Sequence, residues 1–183
     1  MNGHELLIGV SGGIAAFKTA ALVSRLVQSG AGVSVVMTRS AKRLIGPKTF
    51  EALTGRTVQC RVFGRGPHPH IELARAAEVL CVAPATANIL AKAACGIADD
   101  LLSTLLLAFG GPVIMAPAMN DRMWEKPAVK RNLQRLRDDG VRMLDPEEGY
   151  LSCGTYGLGR MASPEKIFDL IAEQLKTADS DET

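Results

Sequence analysis

The stretch from Val79 to Ser103 constrains this chain more than any other. It opens on Val79-Leu80-Cys81-Val82-Ala83, an unbroken apolar run that reads as a strand buried on both faces. Pro84 stops the strand. Thr86 or Asn88 then caps a helix through Ile89 to Ala94, which ends at Gly96. A buried strand that runs into a polar, capped turn leaves free backbone amides and small side chains at the carboxyl edge of a sheet, where open α/β sheets bind their ligands. A second helix is expected from Gly96 to Thr104, with Asp99 and Asp100 compensating the dipole in its first turn.

The amino-terminal segment fixes the fold class. Leu6 to Val10 is a short apolar strand, Ser11-Gly12-Gly13 breaks it, and a helix is predicted from about Ile14 to Ser29 with Ala16, Ala20, Val23 and Val27 on its buried face. Val33 to Met37 is a second strand, and it ends in Thr38-Arg39-Ser40, three side chains able to bond phosphate. Strand, glycine turn, helix and strand make a parallel βαβ unit. Further strands are predicted at Thr57–Phe63, Val113–Ala116 and Val141–Leu144, with helices near Thr49–Leu53, Ile71–Ala77, Pro127–Asp139 and Ser163–Lys176. The segment from Asp145 to Met161 has several glycines and no period, so it reads as a long functional loop. The expected architecture is an α/β, three-layer, flavodoxin-like or Rossmann-like open parallel sheet. It forms a single domain over residues 1–178, followed by a frayed acidic tail at 179–183.

Composition excludes several partners. The 21 basic and 19 acidic residues are well mixed, which leaves no face for nucleic acid. No apolar run is long enough to span a membrane and no signal-like start is visible, so a cytoplasmic enzyme is expected. Cys60, Cys81, Cys95 and Cys153 show neither CxxC spacing nor histidine pairing, so free thiols and no metal are expected.

The candidate chemistry is concentrated at turns. Gly9-Val10-Ser11-Gly12-Gly13 matches a nucleophile elbow, but it sits on the first strand and the last histidine is His70, so that reading is rejected. It is no dinucleotide fingerprint either. What remains is a glycine turn whose amides face a phosphate at a helix start, or simply a tight turn. His70 stands at a sheet mouth, where an imidazole can move a proton near neutral pH. Cys153 lies between Ser152 and Gly154 with nothing apolar to pack on, and a thiol there can donate a proton to carbon. Pro84-Ala85-Thr86-Ala87-Asn88 and Pro117-Ala118-Met119-Asn120 are two similar prolyl turns and point to one shared cleft.

Together these residues resemble a known family. Ser11-Gly12-Gly13-Ile14-Ala15-Ala16-Phe17-Lys18, His70-Ile71-x-Leu73-Ala74-Arg75, the two prolyl turns, Gly96-Ile97-Ala98-Asp99-Asp100-Leu101-Leu102 and Gly149-x-Leu151-x-Cys153-Gly154 are similar to the homo-oligomeric flavin-containing cysteine decarboxylases, in their phosphopantothenoylcysteine branch. The resemblance covers about residues 5 to 175. It implies an FMN-binding, flavodoxin-like fold that forms homotrimers, often built into homododecamers, with flavin and substrate at subunit contacts.

By the same resemblance, Gly12, Gly13 and Ile14 with Thr38 and Ser40 attend the FMN phosphate, and Thr86, Ala87, Asn88 and Ala118 border the flavin. Asn120 holds the substrate carboxylate, His70 is the acid/base, Cys153 rides on a flap over the substrate, and Met161 lies at the flap's exit. The implied reaction turns 4′-phosphopantothenoylcysteine into 4′-phosphopantetheine in coenzyme A biosynthesis. It passes through a thioaldehyde and an ene-thiolate, which Cys153 protonates. Peptidyl-cysteine decarboxylases of lantibiotic maturation and FMN-binding phosphatase-regulatory subunits are the alternatives. The Cys153 flap and the Pro117–Asn120 turn favour the pantothenate branch, and the short acidic tail disfavours the regulators. The synthetase activity that makes the substrate, where it is present, is expected on a separate protein.

Overall fold

The structure is a computed structural model and describes residues 1–62 and 68–181. Its centre is a five-stranded parallel sheet in the order β2-β1-β3-β4-β5, formed by β1 (Glu5–Val10), β2 (Gly32–Met37), β3 (Val79–Ala85), β4 (Val113–Pro117) and β5 (Arg142–Met143). Period-two alternation decides which helices cover which face. Leu6, Ile8 and Val10 of β1 point into one apolar layer and Leu7 into the other.

The first layer is closed by α1 (Ala16–Gln28), α2 (Pro47–Thr54) and α8 (Pro164–Asp181), which bring in Leu22, Phe50 and Ile171. The second is closed by α3 (Pro69–Ala76), α4 (Ala87–Cys95), α5 (Leu101–Ala108) and α7 (Pro127–Asp138), with Leu90, Leu102 and Leu133 at its centre. The expected three-layer, flavodoxin-like fold is therefore present. Cys81 of β3 is fully buried, and burial pushes its thiol pKa up to about 12, so it acts as a small core residue.

Several local expectations are corrected. The Asp145–Met161 segment contains an antiparallel hairpin of β6 (Glu147–Tyr150) and β7 (Tyr156–Arg160). A two-stranded ribbon standing off the sheet buries little, so it needs no apolar alternation: the cross-strand pair Tyr150 and Tyr156 is exposed. The strand expected at Thr57–Phe63 is reduced to a single parallel bridge between Gln59 and Val36, and Phe63 lies outside the described residues. The buried face of α1 is Ala16, Thr19, Leu22, Val23 and Leu26, while Ala20 and Val27 are only partly covered. The helix expected to end near Lys176 continues to Asp181. A short helix, α6 (Asp121–Trp124), was not anticipated.

The acidic pair before α5 also differs from expectation. The helix begins only at Leu101, and Asp100 caps it in a reciprocal capping box with Ser103. Lys92 of α4 then bridges to both Asp99 and Asp100.

Candidate functional site

The ends of β1, β2, β3 and β4 lie at one edge of the sheet, and the turns that follow them enclose a cavity of about 820 Å³. It sits where the strand order reverses between β1 and β3, the usual ligand crevice of such sheets.

Two buried hydroxyls hold this edge in shape. Ser11 Oγ, just beyond β1, donates to the Pro84 carbonyl at 2.6 Å and accepts from the Thr86 amide at 3.1 Å. Thr19 Oγ1 of α1, fully buried, donates to the Ala83 carbonyl at 2.7 Å. These carbonyls need side-chain partners because β3 slips register against β4 between Val82 and Ala85. The Ala83–Pro84 peptide bond is cis. Thr86, one of the two expected caps, accepts from the Ile89 amide and starts α4.

One end of the cavity is built for an anion. The amides of Gly12, Ile14 and Ala15 have no acceptor among the described residues and precede α1. Gly12 faces Ser40 so closely that a β-carbon there would lie 2.3 Å from Ser40 Cβ. Thr38, Arg39 and Ser40 close the opposite wall. The middle of the cavity is bounded by Ala87 and Asn88 of α4 and by Ala118.

At the far end the turn after β4 meets the hairpin. Asn120 caps α6 through the Arg122 amide, 2.9 Å from its Oδ1, and this leaves its Nδ2 to donate to Cys153 Sγ at 3.1 Å. Thr155 Oγ1 lies 3.1 Å from the same sulfur. Hydrogen bonds from Thr155 and then Asn120 hold the Cys153 thiol below its ordinary pKa.

Basic side chains outnumber acids around the rim. Lys18 Nζ donates to the Met161 carbonyl at 3.3 Å, and its pKa is lowered first by burial and then by Arg160 nearby. Arg160 of β7 and Lys166 of α8 share the carboxylate of Glu147.

All the expected site residues except His70 border this cavity. Met161 does so from a fully buried position, with its side chain in the core. His70 begins α3 at the same sheet edge, outside the cavity of this chain. Its Nδ1 is buried with no partner among the described residues, and its ring stands edge-on to His68, centroids 6.3 Å apart. Reading the sequence missed Ser11 and Thr19 as clamps and Thr155 as a partner of Cys153. Lys18 carried a signal, as the third residue of a helix that follows a glycine turn.

A family model described as Flavoprotein matches residues 1–176. The chain is 49% identical over 174 residues to the coenzyme A biosynthesis bifunctional protein CoaBC of Bacillus subtilis (strain 168), covering 93% of this chain and 43% of the relative. It is 43% identical over 177 residues to the CoaBC of Mycobacterium tuberculosis (strain CDC 1551 / Oshkosh), covering 96% of this chain and 42% of the relative. The chain thus spans less than half the length of these curated relatives. Among solved structures, a PPC decarboxylase point mutant complexed with pantothenoylaminoethenethiol superposes with a TM-score of 0.85 at 31% identity, over 94% of this chain and 98% of the other. The FMN-dependent cysteine decarboxylase SpaF superposes with a TM-score of 0.85 at 38% identity, over 97% and 98%.

Proposed function

The chain belongs to the flavoprotein family, and on that premise we propose that it binds FMN and decarboxylates 4′-phosphopantothenoylcysteine to 4′-phosphopantetheine in coenzyme A biosynthesis. The observation that carries the reading is the contact of Asn120 with Cys153 at one end of a cavity whose other end is an anion cradle.

The residues present fit the cofactor. Unpaired amides before α1, the Gly12–Ser40 approach and the Thr38 and Ser40 hydroxyls suit a phosphate, and the small side chains of Ala87 and Ala118 leave room for a flat ring. When bound, the flavin supplies two-electron oxidation and reduction of the substrate's thiol-bearing carbon.

The chain's own residues do the rest. The Asn120 amide donates to the substrate carboxylate and orients it for loss. The apolar walls strip that carboxylate of water, which destabilises its charge relative to the spreading charge of the transition state. Cys153 Sγ then gives its proton to the carbon that has lost carbon dioxide.

His70 completes the site from a second copy of the chain. Ile14 and Phe17 are 58% and 62% exposed beside the cavity, an apolar surface suited to such a contact and to a homotrimer. The similarity to SpaF, an FMN-dependent cysteine decarboxylase, leaves room for one second reading: the peptidyl-cysteine alternative of the motif resemblance, which acts on a peptide and stops at the ene-thiol.

Purified protein should be yellow, release FMN on denaturation, and liberate carbon dioxide from phosphopantothenoylcysteine with phosphopantetheine as the product. A colourless protein that takes up no FMN ends the reading. A product that remains an ene-thiol favours the second.

A further inference from the structure

The sulfur of Cys153 lies between two donors of different origin. Asn120 Nδ2 reaches it from the turn after β4, and Thr155 Oγ1 reaches it from within the hairpin turn, each at 3.1 Å. The Asn120 amide is already oriented by its bond to the Arg122 amide and, on the reading above, it also serves the substrate. Thr155 has no such second duty: its side chain is exposed and Cys153 is its one side-chain partner among the described residues. A threonine that merely covered a turn would have no reason to place its hydroxyl at hydrogen-bond distance from the one thiol that borders the cavity among the described residues.

We infer that Thr155 is a positioning residue for the proton transfer from Cys153: its hydroxyl orients the thiol and then donates to the thiolate that the transfer leaves behind. The chemical consequence rests on the decarboxylase reading, but the contact itself does not.

The step balances within substrate and protein. The S–H bond of Cys153 breaks, a C–H bond forms on the carbon that lost carbon dioxide, and the electron pair of the broken bond stays on Sγ. The ene-thiolate becomes a neutral thioaldehyde and the negative charge passes to the protein. While the sulfur carries its proton, either atom of the Cys153–Thr155 pair can donate. Once it is a thiolate, only the hydroxyl can. A hydrogen bond that strengthens as charge arrives favours the products of the transfer and so makes the thiol a better acid.

The lowered pKa of Cys153 agrees with this, since its leading causes are hydrogen bonds, that of Thr155 first. The titratable and charged groups on the surrounding elements are Glu147, Glu148 and Tyr150 of β6, Tyr156 and Arg160 of β7, and Asp121 and Arg122 of α6. None of them is among those leading causes.

The test is alkylation of the full-length protein by iodoacetamide across a pH series, read peptide by peptide, for the unaltered chain, Thr155→Val and Thr155→Ser. Exposed Cys95 serves as the internal reference. Thr155→Val should move the Cys153 profile to higher pH and cut its alkylation at pH 7 by about three- to tenfold, the effect of losing one ordinary hydrogen bond at an exposed site. Thr155→Ser, which keeps the hydroxyl, should stay within about twofold, and Cys95 should not change. With phosphopantothenoylcysteine as substrate, Thr155→Val should raise the ratio of ene-thiol to fully reduced product. An unchanged Cys153 profile in Thr155→Val, or a serine variant that behaves like valine, overturns the inference. If no form of the protein releases carbon dioxide, the decarboxylase reading fails and the alkylation profiles still decide the role of Thr155.

Discussion

Gly12 and Ser40 approach so closely that a β-carbon on the glycine would stand 2.3 Å from that of the serine and 3.2 Å from the serine's backbone carbonyl carbon. The first turn of the sheet and the end of its second strand are thus locked together around the anion end of the cavity. Gly12→Ala must spread them. Overpacking of this kind costs about 1–3 kcal/mol. We expect the purified variant to remain folded by circular dichroism but to retain FMN about tenfold or more weakly, measured by fluorescence titration.

Cys153→Ser separates the two halves of the reaction. A serine hydroxyl is a far weaker acid than a thiol, so decarboxylation should proceed and the ene-thiol should accumulate, visible by mass analysis of the product. The pH dependence has a definite sign. The donor must carry its proton, and its pKa lies below that of an ordinary thiol. The fully reduced share of product should therefore be high at low pH and decline as pH rises through that lowered value, before it would for a thiol of about 8.5.

The shared site can be tested by mixing inactive chains. If His70 acts on the cavity of a neighbouring copy, His70→Asn and Asn120→Asp variants should each be inactive alone. Co-expressed, they should regain a fraction of the unaltered activity, because some cavities then receive both intact residues. No recovery in mixed assemblies, with assembly verified by native mass spectrometry, assigns His70 to its own chain.

Thr19→Val removes a hydroxyl that is fully buried against the Ala83 carbonyl. Shape is kept and the carbonyl loses its partner, a cost of about 1–3 kcal/mol. For a chain of this size, that lowers Tm by about 2–4 °C per kcal/mol, measured by calorimetry.

Glu147 ties the hairpin to the start of α8, accepting from Lys166 at 2.9 Å, from Arg160 at 3.1 Å and from the Ser163 amide at 3.4 Å. The bond from Lys166 chiefly holds its carboxyl below the ordinary range, against the opposing effect of burial, with Arg160 adding to it. Its folded pKa is depressed, so its contribution is complete above the ordinary carboxylate pKa and is lost as pH falls through the lower folded value. Glu147→Gln should lower stability at neutral pH by about 0.5–1 kcal/mol, flatten that acid limb, and speed proteolytic cutting within residues 151–155.

What was legible in advance was what neighbours in sequence decide. The uninterrupted apolar run of β3, the glycine break after β1, the cap at Thr86 and the left-handed glycine at Gly96 each depend on a few adjacent residues. The hairpin was not legible, because Gly149, Gly157 and exposed tyrosines give no alternation to detect. Nor was the burial of Thr19: its position on α1 reads as a gap in an apolar stripe until the Ala83 carbonyl is placed opposite.

The sequence by itself determined β1, α1, β2, β3, α4 and β4, their order and the side chains available at the turns between them, since strand alternation, capping and glycine turns act over a few residues. The tertiary structure alone decided that β3 lies beside β1, that Ser11 meets Thr86 across 75 positions and that Asn120 meets Cys153 across 33. Both faces of one sheet had to be covered at once, and that requirement, which no local pattern carries, brought the two ends of the cavity together.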